Sequence, residues 1–496
     1  MIKWFILVPL MVNFHGTTLT KENVTMLWIP IDRSLDIPLI RQVYQQIRKR
    51  ILNGQLKANE KLPSSRELSS ELNVSRNVIL EAYDQLLAEG FLVAQRGSGT
   101  YVASGAFLEK HKNASAIQSF HWNENNKKDE NIIDFRSGIP ALDLFPRKTW
   151  AKLSYTIWND SSPSVLGYDI PEGRPELRQA LSGYLLKTRG VVCHPNQIVI
   201  TSGATQAMTL VSRLLVSAND EVIMEDPITV DIQMIFKSAG ARIYPIPVDK
   251  DGMKTSLLPL DVDPRFIYVT PSHQFPLGGI LPIQRRIQLI NYSRKTNCYL
   301  IEDDYDSEFR YEGSPISSLQ GLEPERVLYI GSFSKILSPA LRMGYLILPT
   351  ELIEKCRTLK WFSDLHTPPL EQLILTRFIQ EGHLERHIAK MKKIYRNRRD
   401  FLINCLQSRF SNKVDIFGDS TGLHLIVEFK EQQFSKELLE KIEQYGVKIY
   451  LVEDHAIRKG AHSNQIILGY GHLDNEEIEE GINKLQQALY DIAPFK

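Results

Sequence analysis

Lys335 closes the stretch Gly-Ser-Phe-Ser-Lys, which directly follows the apolar run 327–330. That run predicts a buried strand, and a lysine just beyond it would lose solvation, so that its amine becomes a better nucleophile toward an aldehyde. Ser332, Ser334 and Arg342 offer two hydroxyls and a guanidinium that suit a phosphate group. A reactive lysine beside a phosphate site predicts the cofactor pyridoxal 5′-phosphate.

Two further motifs follow predicted strands. Residues 201–206, with the sequence Thr-Ser-Gly-Ala-Thr-Gln, come after the apolar run 198–200 and open a helix, where free backbone amides favour an anion. Asp303 follows the run 299–301, and a buried carboxylate there needs a cationic partner such as a protonated pyridine nitrogen. Each motif alone also suits an ordinary strand–helix corner or an acidic loop. Together with Lys335 they predict one cofactor site.

The elements that would position these motifs alternate between strands and helices. Short apolar runs at 198–200, 221–224, 266–269 and 299–301 fit the buried strands of a parallel sheet, and the alternation continues to about Pro349. Ligands bind at the carboxyl ends of such strands, where the chemical motifs fall. The pattern therefore predicts a doubly wound α/β sheet.

A different pattern precedes this region. Residues 40–51 carry apolar side chains at helix spacing. Ser64 and Glu67 have the spacing of a capping box, which predicts the start of a second helix. Ser75 is expected to cap a third helix that ends near Gly90, after a turn of a few residues. Two helices joined in this way predict a helix-turn-helix.

The stretch after Gly90 predicts a wing, because short strands at 91–93 and 100–102 flank the flexible, basic tip 95–99. The amino end of the third helix would enter the major groove of DNA. The residues predicted to face bases or phosphates are Arg66, Ser75, Arg76, Asn77 and Arg96. Nine Lys/Arg against six Asp/Glu over 38–104 give only a weak positive charge, so a protein-interaction module remains the alternative.

Length and composition fit two or three globular domains. The chain has 496 residues, of which 43% are hydrophobic and 24% charged, and a net charge of +1, so any DNA-binding surface must be local. Its four cysteines are far apart in sequence, which predicts reduced thiols in a cytoplasmic protein and no metal site. We expect residues 1–25 to be an unstructured or mis-started extension rather than a secretory signal, and residues 105–130 to be a flexible linker.

The first domain, residues 26–104, resembles the GntR-type winged helix, an α+β helix-turn-helix module. The resemblance rests on 62–68 (LPSSREL), 74–77 (VSRN), 86–91 (LLAEGF) and 97–102 (GSGTYV), which occur in the family's order. It implies operator contacts by Arg66, Ser75, Arg76, Asn77, Arg96 and Gly97. Leu80 departs from the pattern, because some relatives carry a base-reading arginine there, so the resemblance does not imply the operator sequence.

Residues 131–496 resemble the aspartate-aminotransferase-like α/β fold of pyridoxal-phosphate enzymes, with a large and a small subdomain. The resemblance rests on motifs that include 166–168 (LGY), 171–173 (PEG), 201–206 (TSGATQ), 276–278 (PLG) and 332–335 (SFSK). It implies that Lys335 forms a Schiff base with the cofactor, that Asp303 pairs with its ring nitrogen and that Tyr305 approaches its phenolic oxygen. The other residues implied to bind the cofactor, chiefly its phosphate, are Ser202, Gly203, Ala204, Thr205, Ser332, Ser334 and Arg342.

A GntR-type winged helix followed by a linker and an aminotransferase-like domain is the arrangement of the MocR family of bacterial regulators. Residues 270–276 (TPSHQFP) and 302–311 (EDDYDSEFRY) are similar to that family's versions of the motifs. The resemblance implies a transcriptional regulator that binds operator double-stranded DNA and a small-molecule effector. It also implies a head-to-tail homodimer in which each DNA-binding domain rests on the partner's large domain.

Three features depart from active aminotransferases. Residues 225–230 (EDPITV) lack the aromatic ring that usually stacks on the cofactor. Phe275 stands where an asparagine usually bonds the phenolic oxygen, a role that His273 or Gln274 could fill. The region that usually clamps a substrate carboxylate offers only Arg458, beside acidic residues. These gaps would leave reaction with an amine intact but weaken the positioning on which turnover depends.

The preferred interpretation is therefore a pyridoxal-phosphate-dependent regulator that senses an amine, an amino acid or a vitamin B6 compound at Lys335. If the clamp is truly missing, we expect the effector to lack a plain α-carboxylate or to be the B6 compound itself. One alternative is a working aminotransferase with an appended DNA-binding domain. Another is a regulator whose large domain no longer holds cofactor and serves only for dimerisation.

Overall fold

The structure of the chain is a computed structural model, which describes residues 29–107 and 131–492. The chain divides into two compact units, Met1–Glu124 and Asn125–Lys496. Each unit has its own apolar core of buried side chains.

The predicted extension 1–25 and almost all of the predicted linker 105–130 lie outside the described residues. Within the described ranges, none of the helices is long and apolar enough to cross a membrane. The cysteines Cys193, Cys298 and Cys356 are free thiols, as is Cys405.

Three helices and a hairpin form the first unit. The helices are α1 (Leu39–Leu52), α2 (Ser65–Glu71) and α3 (Arg76–Ala88), and the antiparallel strands are β1 (Leu92–Gln95) and β2 (Gly99–Val102). Buried apolar side chains from all five elements form the core. The predicted helix-turn-helix with a two-stranded wing is confirmed.

The starts of α2 and α3 differ. The predicted capping box is present on α2, because the Glu67 backbone N–H donates to Ser64 Oγ at 3.3 Å and the Ser64 N–H donates to the Glu67 carboxylate at 2.8 Å. Ser75 is the residue that precedes α3, as expected, but its side chain accepts no capping hydrogen bond from the described residues. The prediction that Ser75 is the N-cap residue of α3 is therefore confirmed, whereas its side chain is exposed.

An eight-stranded sheet forms the centre of the second unit. After β3 (Ile133–Asp134), its strands are β4 (Ile198–Thr201), β5 (Glu221–Asp226), β6 (Arg242–Asp249), β7 (Gly252–Met253), β8 (Phe266–Val269), β9 (Tyr299–Asp304), β10 (Val327–Ser332) and β11 (Gly344–Ile347). They are ordered β4-β11-β10-β9-β8-β5-β6-β7. Strands β6, β5, β8, β9 and β10 are parallel neighbours, whereas β11 is antiparallel to both β10 and β4, and β7 is antiparallel to β6. The apolar runs predicted as strands, 198–200, 221–224, 266–269 and 299–301, all lie in this sheet, which also contains the antiparallel strands β7 and β11.

Helices cover both faces of this sheet. They are α4 (Arg147–Asp160), α5 (Pro175–Arg189), α6 (Ala204–Leu215), α7 (Val230–Ser238), α8 (Ile283–Thr296), α9 (Ile353–Asp364) and α10 (Pro369–Gln380). Along β4, Ile198 and Ile200 pack with apolar residues of α4, α5 and α10, whereas Val199 packs with residues of α6, α7 and α9. This alternation confirms the predicted doubly wound arrangement.

A smaller subdomain follows. Its elements are α11 (His383–Phe410), β12 (Val414–Phe417), β13 (His424–Phe429), α12 (Lys436–Gln444), β14 (Val447–Lys448), β15 (Tyr450–Leu451), α13 (Val452–His455), β16 (Gln465–Gly469) and α14 (Asn475–Ile492). Four antiparallel strands form its sheet in the order β12-β13-β16-β15, and β3 pairs in parallel with β14. The segment after β3 therefore starts in the small subdomain and leads toward the large one.

Candidate functional site

Lys335 lies three residues beyond β10 and is partly buried. Its Nζ donates a hydrogen bond to the carbonyl oxygen of Gly138 at 2.7 Å. Burial lowers the pKa of the Lys335 amine and the charge of Arg136 lowers it further, while Asp306 and Asp303 act in the opposite direction. A lysine with a lowered pKa gives up its proton more readily, which is the condition predicted for a nucleophilic amine.

Asp303 lies in β9, in register with Ile330 of β10. Its Oδ2 accepts a hydrogen bond from the Tyr268 hydroxyl at 2.5 Å, while Oδ1 is buried and has no partner among the described residues. Burial raises the pKa of Asp303 to about 7, and repulsion from Asp304 and Asp306 contributes. A buried carboxylate oxygen without a donor is costly, and a protonated pyridine nitrogen would satisfy it. The residues present therefore fit pyridoxal 5′-phosphate.

This raised pKa predicts a pH-dependent loss of stability in the cofactor-free protein. The unfolded chain releases the Asp303 proton near its ordinary pKa of 3.8, whereas the folded chain keeps it to about 7, so stability falls as pH rises through that window. We expect Asp303→Asn to lose less stability than the wild type between about pH 5 and pH 8, measured by urea unfolding. Glu225 and Glu308 also have pKa values raised by burial to about 7, but they are present in both proteins. An identical fall in both proteins would contradict the prediction.

The predicted phosphate residues on two strands come together through β11. Gly344 of β11 pairs with both Thr201 of β4 and Ser332 of β10. The Ser332 hydroxyl accepts a hydrogen bond from the Ser334 N–H at 3.1 Å and lies 3.0 Å from the Ser334 hydroxyl. The two hydroxyls predicted to bind phosphate are thus held next to each other.

Arg342 contacts the corner between β4 and α6. Its Nη2 donates to the Ser202 carbonyl oxygen at 2.6 Å, and a Cβ added at Gly203 would lie 3.2 Å from that nitrogen. Gly203 has φ +90°, a conformation that favours glycine, and Ala204 and Thr205 form the first turn of α6. A guanidinium beside the amino end of a helix suits a phosphate group.

Tyr305 follows β9 and contacts His273 on a neighbouring loop. The Tyr305 hydroxyl donates to the His273 carbonyl oxygen at 2.9 Å and lies 3.1 Å from His273 Nδ1. That nitrogen also lies 2.9 and 3.0 Å from the two carboxylate oxygens of Asp306. Sequence reasoning missed Asp306, for which adjacency to Tyr305 was the available signal.

The structure separates the two residues considered as substitutes for the missing asparagine. The Gln274 amide donates to the carbonyl oxygens of Pro227 at 2.8 Å and Phe275 at 2.6 Å, and its Oε1 accepts from the Leu277 N–H at 3.0 Å. The Gln274 side chain thus forms its hydrogen bonds with backbone atoms. His273, in contrast, keeps a buried Nε2 that has no hydrogen-bond partner among the described residues.

A second histidine packs on this group. The rings of His273 and His424 stack with centroids 4.9 Å apart, and His424 Nε2 lies 2.9 Å from the Pro276 carbonyl oxygen. Burial lowers the pKa of His424 to about 3, and the neighbouring His273 adds to this, so His424 is neutral. His273, Asp306 and His424 each have an atom that could bind a metal ion, and these atoms lie within 4.8 Å of one another. The hydrogen bonds just described explain why these side chains lie so close together.

The region expected to hold a carboxylate clamp contains Arg458. The Arg458 side chain is exposed, and its backbone N–H donates to Asp226 at 3.1 Å. The cation that acts on Lys335 is Arg136, two residues before Gly138 on the segment after β3. Sequence reasoning missed Arg136, since no local motif marks a residue brought to the site by subdomain packing.

Asp304, beside Asp303, is held by Arg189 at the end of α5. Arg189 Nε lies 2.8 Å from Asp304 Oδ2, and the two side chains are 5% and 3% exposed. The Tyr329 hydroxyl donates to the same oxygen, and Arg189 Nη2 donates to Ser272 Oγ at 2.5 Å. This buried group ties α5, β9, β10 and the loop before His273 together.

The residues predicted to contact DNA are all exposed on the first unit. They are Arg66 on α2, Ser75, Arg76 and Asn77 at the start of α3, and Arg96 and Gly97 between β1 and β2. Arg76 Nε donates to Ser65 Oγ at 3.2 Å, which joins the start of α3 to α2. Gly97 has φ +76°, so the tip of the wing favours a glycine.

Family models match both units. Residues 130–484 match the family "Aminotransferase class I and II", and residues 39–102 match "Bacterial regulatory proteins, gntR family". The two matches stand in the order that the sequence motifs predicted.

Two known regulators are similar over nearly the whole chain. The probable rhizopine catabolism regulatory protein MocR of Rhizobium meliloti is 33% identical over 476 residues, which cover 92% of this chain and 95% of that protein. The HTH-type pyridoxine biosynthesis transcriptional regulator PdxR of Corynebacterium glutamicum is 28% identical over 448 residues, 90% and 95% of the two chains. The solved kynurenine aminotransferase of Pyrococcus horikoshii, in complex with PMP, has a TM-score of 0.69 and 27% identity over 74% of this chain and 92% of that one.

Proposed function

Since this chain belongs to the MocR- and PdxR-type HTH transcriptional regulators, with a gntR-family DNA-binding domain and an aminotransferase class I and II domain, we propose that it senses an amine through pyridoxal 5′-phosphate held at Lys335. The ligand is an amino acid, another primary amine or a vitamin B6 compound. Its binding would shift the protein between two arrangements that differ in affinity for operator DNA, which requires that the ligand bind one of them more tightly.

The unpartnered oxygen of Asp303 is the observation that carries this proposal. A buried carboxylate oxygen without a donor, in the strand next to the one that precedes Lys335, fits a ligand with a cationic ring nitrogen. When bound, pyridoxal 5′-phosphate supplies an aldehyde carbon that Lys335 and a ligand amine can each bond. Ser202–Thr205, Ser332, Ser334 and Arg342 would hold its phosphate, and Tyr305 would face its phenolic oxygen.

Regulation is favoured over efficient transamination because the positioning groups are sparse. Residues 225–230 contain no aromatic ring, and Phe275 is an apolar residue where a hydrogen-bonding one would help. Turnover depends on close positioning of the reacting groups, whereas capture of an amine needs only a reactive lysine and a bound cofactor. We further propose that the protein acts in the cytoplasm as a head-to-tail homodimer.

A working aminotransferase is the second candidate, favoured by the fold shared with kynurenine aminotransferase. Incubation of the loaded protein with an amino donor and a 2-oxo acid separates the two proposals. Sustained formation of the second amino acid would favour the enzyme. A single round of spectral change without product accumulation would favour the sensor.

The test of the proposed function measures DNA binding with and without candidate effectors. Selection from a random duplex library identifies the operator, and fluorescence anisotropy of the full-length protein then measures Kd. The probes are pyridoxal, pyridoxamine, amino acids and their decarboxylated amines. We expect at least one probe to change Kd about tenfold or more when pyridoxal 5′-phosphate is present. A Kd for DNA that changes with neither the probes nor the cofactor would contradict the proposal. It would favour a large domain used only for dimerisation.

Arg76→Ala is expected to weaken operator binding about tenfold to a hundredfold, because one base or phosphate contact at the start of α3 contributes about 1–3 kcal/mol. Anisotropy titrations at fixed salt measure this loss. Arg41→Ala removes the same charge from α1, where the guanidinium lies 5.3 Å from the centre of the Tyr44 ring, and serves as the matched control. Equal losses in both variants would show a general charge effect and would refute the predicted contact.

A further inference from the structure

His273 and Asp306 form a buried pair next to Tyr305. Their side chains are 1% and 3% exposed, and His273 Nδ1 lies 2.9 and 3.0 Å from the two Asp306 oxygens. No part of the proposed cofactor binding uses this pair. Two titratable groups that face each other in a protein interior usually have a structural or a chemical role. The geometry of this pair indicates which of the two roles applies.

The hydrogen bonds fix the tautomer of His273. A carboxylate only accepts hydrogen bonds, so Nδ1 must carry the proton that points at Asp306. The hydrogen bond of Tyr305 is consistent with this assignment. The Tyr305 hydroxyl donates to the His273 carbonyl oxygen at 2.9 Å, so it needs no acceptor on the imidazole ring. The neutral imidazole therefore keeps its lone pair on Nε2. That atom is buried and has no donor among the described residues.

The surroundings of His273 can accommodate a proton on the ring. Asp306 provides a negative charge in direct contact, and it also acts electrostatically on Lys335. His424, which stacks on His273, is neutral, so it adds no positive charge beside the ring. A proton placed on Nε2 would create an imidazolium that is paired with a carboxylate through Nδ1, as a buried charge requires.

The pair is also held in place. A Cβ added at Gly422 would lie 2.1 Å from His273 Cε1 and 2.6 Å from Asp306 Oδ2, so the small-subdomain backbone packs directly on both side chains. The Gly422 carbonyl oxygen accepts hydrogen bonds from the hydroxyls of Tyr311 at 2.6 Å and Tyr470 at 2.8 Å. The Nδ1 edge of the ring is thus covered by Gly422 and Asp306, and Nε2 is the ring nitrogen left without a hydrogen bond among the described residues.

A ligand amine must lose a proton before it can react, and His273 is placed to accept one. An ordinary alkyl amine has a pKa of about 10, so near neutral pH it arrives as an ammonium ion without a lone pair. It cannot bond an aldehyde carbon until a base removes one proton. In the loaded protein the Lys335 nitrogen would already be bonded to the cofactor, and Asp303 is positioned for the ring nitrogen.

We propose that His273 Nε2 accepts this proton from the incoming ammonium group and that Asp306 is the positioning residue that holds the required tautomer. The inference rests on the proposed function, since it assumes an amine ligand at Lys335. One N–H bond of the ligand breaks, its electron pair stays on the ligand nitrogen, and an Nε2–H bond forms. The positive charge moves from the ligand to the imidazolium beside Asp306, and no oxidant or reductant takes part.

The experiment compares two small amines with the pyridoxal-phosphate-loaded, full-length protein near neutral pH. Methylamine is protonated there and must lose a proton, whereas O-methylhydroxylamine is already uncharged. Stopped-flow absorbance of the cofactor gives the reaction rate with each. We expect His273→Asn to slow the reaction with methylamine about a hundredfold and to leave the reaction with O-methylhydroxylamine unchanged. His383→Asn, which removes an imidazole paired with Glu381 at 3.2 Å on α11, is the matched control.

A second readout needs no cofactor. In the cofactor-free protein labelled with ¹⁵N-histidine, the His273 resonances, assigned by their absence from His273→Asn, should show a protonated Nδ1 and an unprotonated Nε2. Asp306→Asn should lose this preference and should slow the reaction with methylamine but not that with O-methylhydroxylamine. Equal slowing with both amines, no slowing with either, or a protonated Nε2 in the wild type would overturn the inference. A wild-type protein that reacts with neither amine would instead refute the proposed function.

Discussion

Lys335→Ala yields a protein that holds no covalently bound pyridoxal phosphate, even when the cofactor is supplied in excess. The expectation follows from the position of the amine just beyond β10, from its hydrogen bond to Gly138, and from the lowered pKa that burial gives it. Alanine removes the nucleophile and leaves the phosphate contacts untouched, so weaker, non-covalent binding should remain. Borohydride reduction followed by peptide mass spectrometry measures the covalent fraction, which should be essentially complete in the wild type and absent in the variant.

Lys360 provides an internal control for that measurement. It is also a buried lysine whose pKa is lowered by burial, but its Nζ lies 2.6 Å from Asp364 and 3.2 Å from Thr367. An amine that is paired with a carboxylate in this way should not be labelled. Labelling of Lys360 together with Lys335 would mean that burial alone drives the reaction, and labelling that persists in Lys335→Ala would place the reactive amine elsewhere.

Arg189→Leu is expected to destabilise the large unit by about 3–5 kcal/mol, because it leaves the buried Asp304 carboxylate without its cation. The Arg189 and Asp304 side chains are 5% and 3% exposed, so water cannot replace the lost partner. Urea unfolding of the full-length protein, followed by a probe in the large unit, measures the change. The same variant should also bind pyridoxal phosphate less tightly, since Asp304 adjoins Asp303 in β9.

Lys187→Leu is the matched control on the same helix, α5. Lys187 pairs with Glu385 at 2.9 Å, but the two side chains are 73% and 44% exposed, and such exposed pairs contribute about 0–1 kcal/mol. The double variant Arg189→Leu/Asp304→Leu should recover part of the lost stability, because it removes the unpaired charge. A loss in Arg189→Leu no larger than that in Lys187→Leu would contradict the account of the buried pair.

Much of the candidate cofactor site could be predicted because its residues sit in contiguous motifs at strand ends. Lys335 follows its apolar run directly, and residues 201–206 do the same, so local patterns were enough to place them beside one sheet edge. The winged helix was equally predictable, since capping and turn residues mark each element. The antiparallel direction of β11 was not, because a run of four apolar residues carries no information on strand polarity.

The contacts that sequence reasoning missed share a different property. His273 and Asp306 lie on separate loops and meet only when β8 and β9 pair, and Arg136 reaches Lys335 only when the segment after β3 crosses from the small subdomain. His273 was considered as a hydrogen-bond donor to the cofactor, but its tautomer could not be inferred without knowing that Asp306 faces Nδ1. Contacts between distant segments are tertiary information, which local spacing does not contain.

The most direct test of the central claim compares the operator Kd of the wild type with that of Lys335→Ala. Each Kd is measured by fluorescence anisotropy in the presence of pyridoxal 5′-phosphate, with and without the probe amine that changes DNA binding by the wild type. The account predicts that the amine changes the wild-type Kd about tenfold or more and leaves the Kd of the variant unchanged, although both proteins bind the operator. The same change in both proteins would show that the amine acts away from Lys335, and no change in either would show that the large domain does not sense amines.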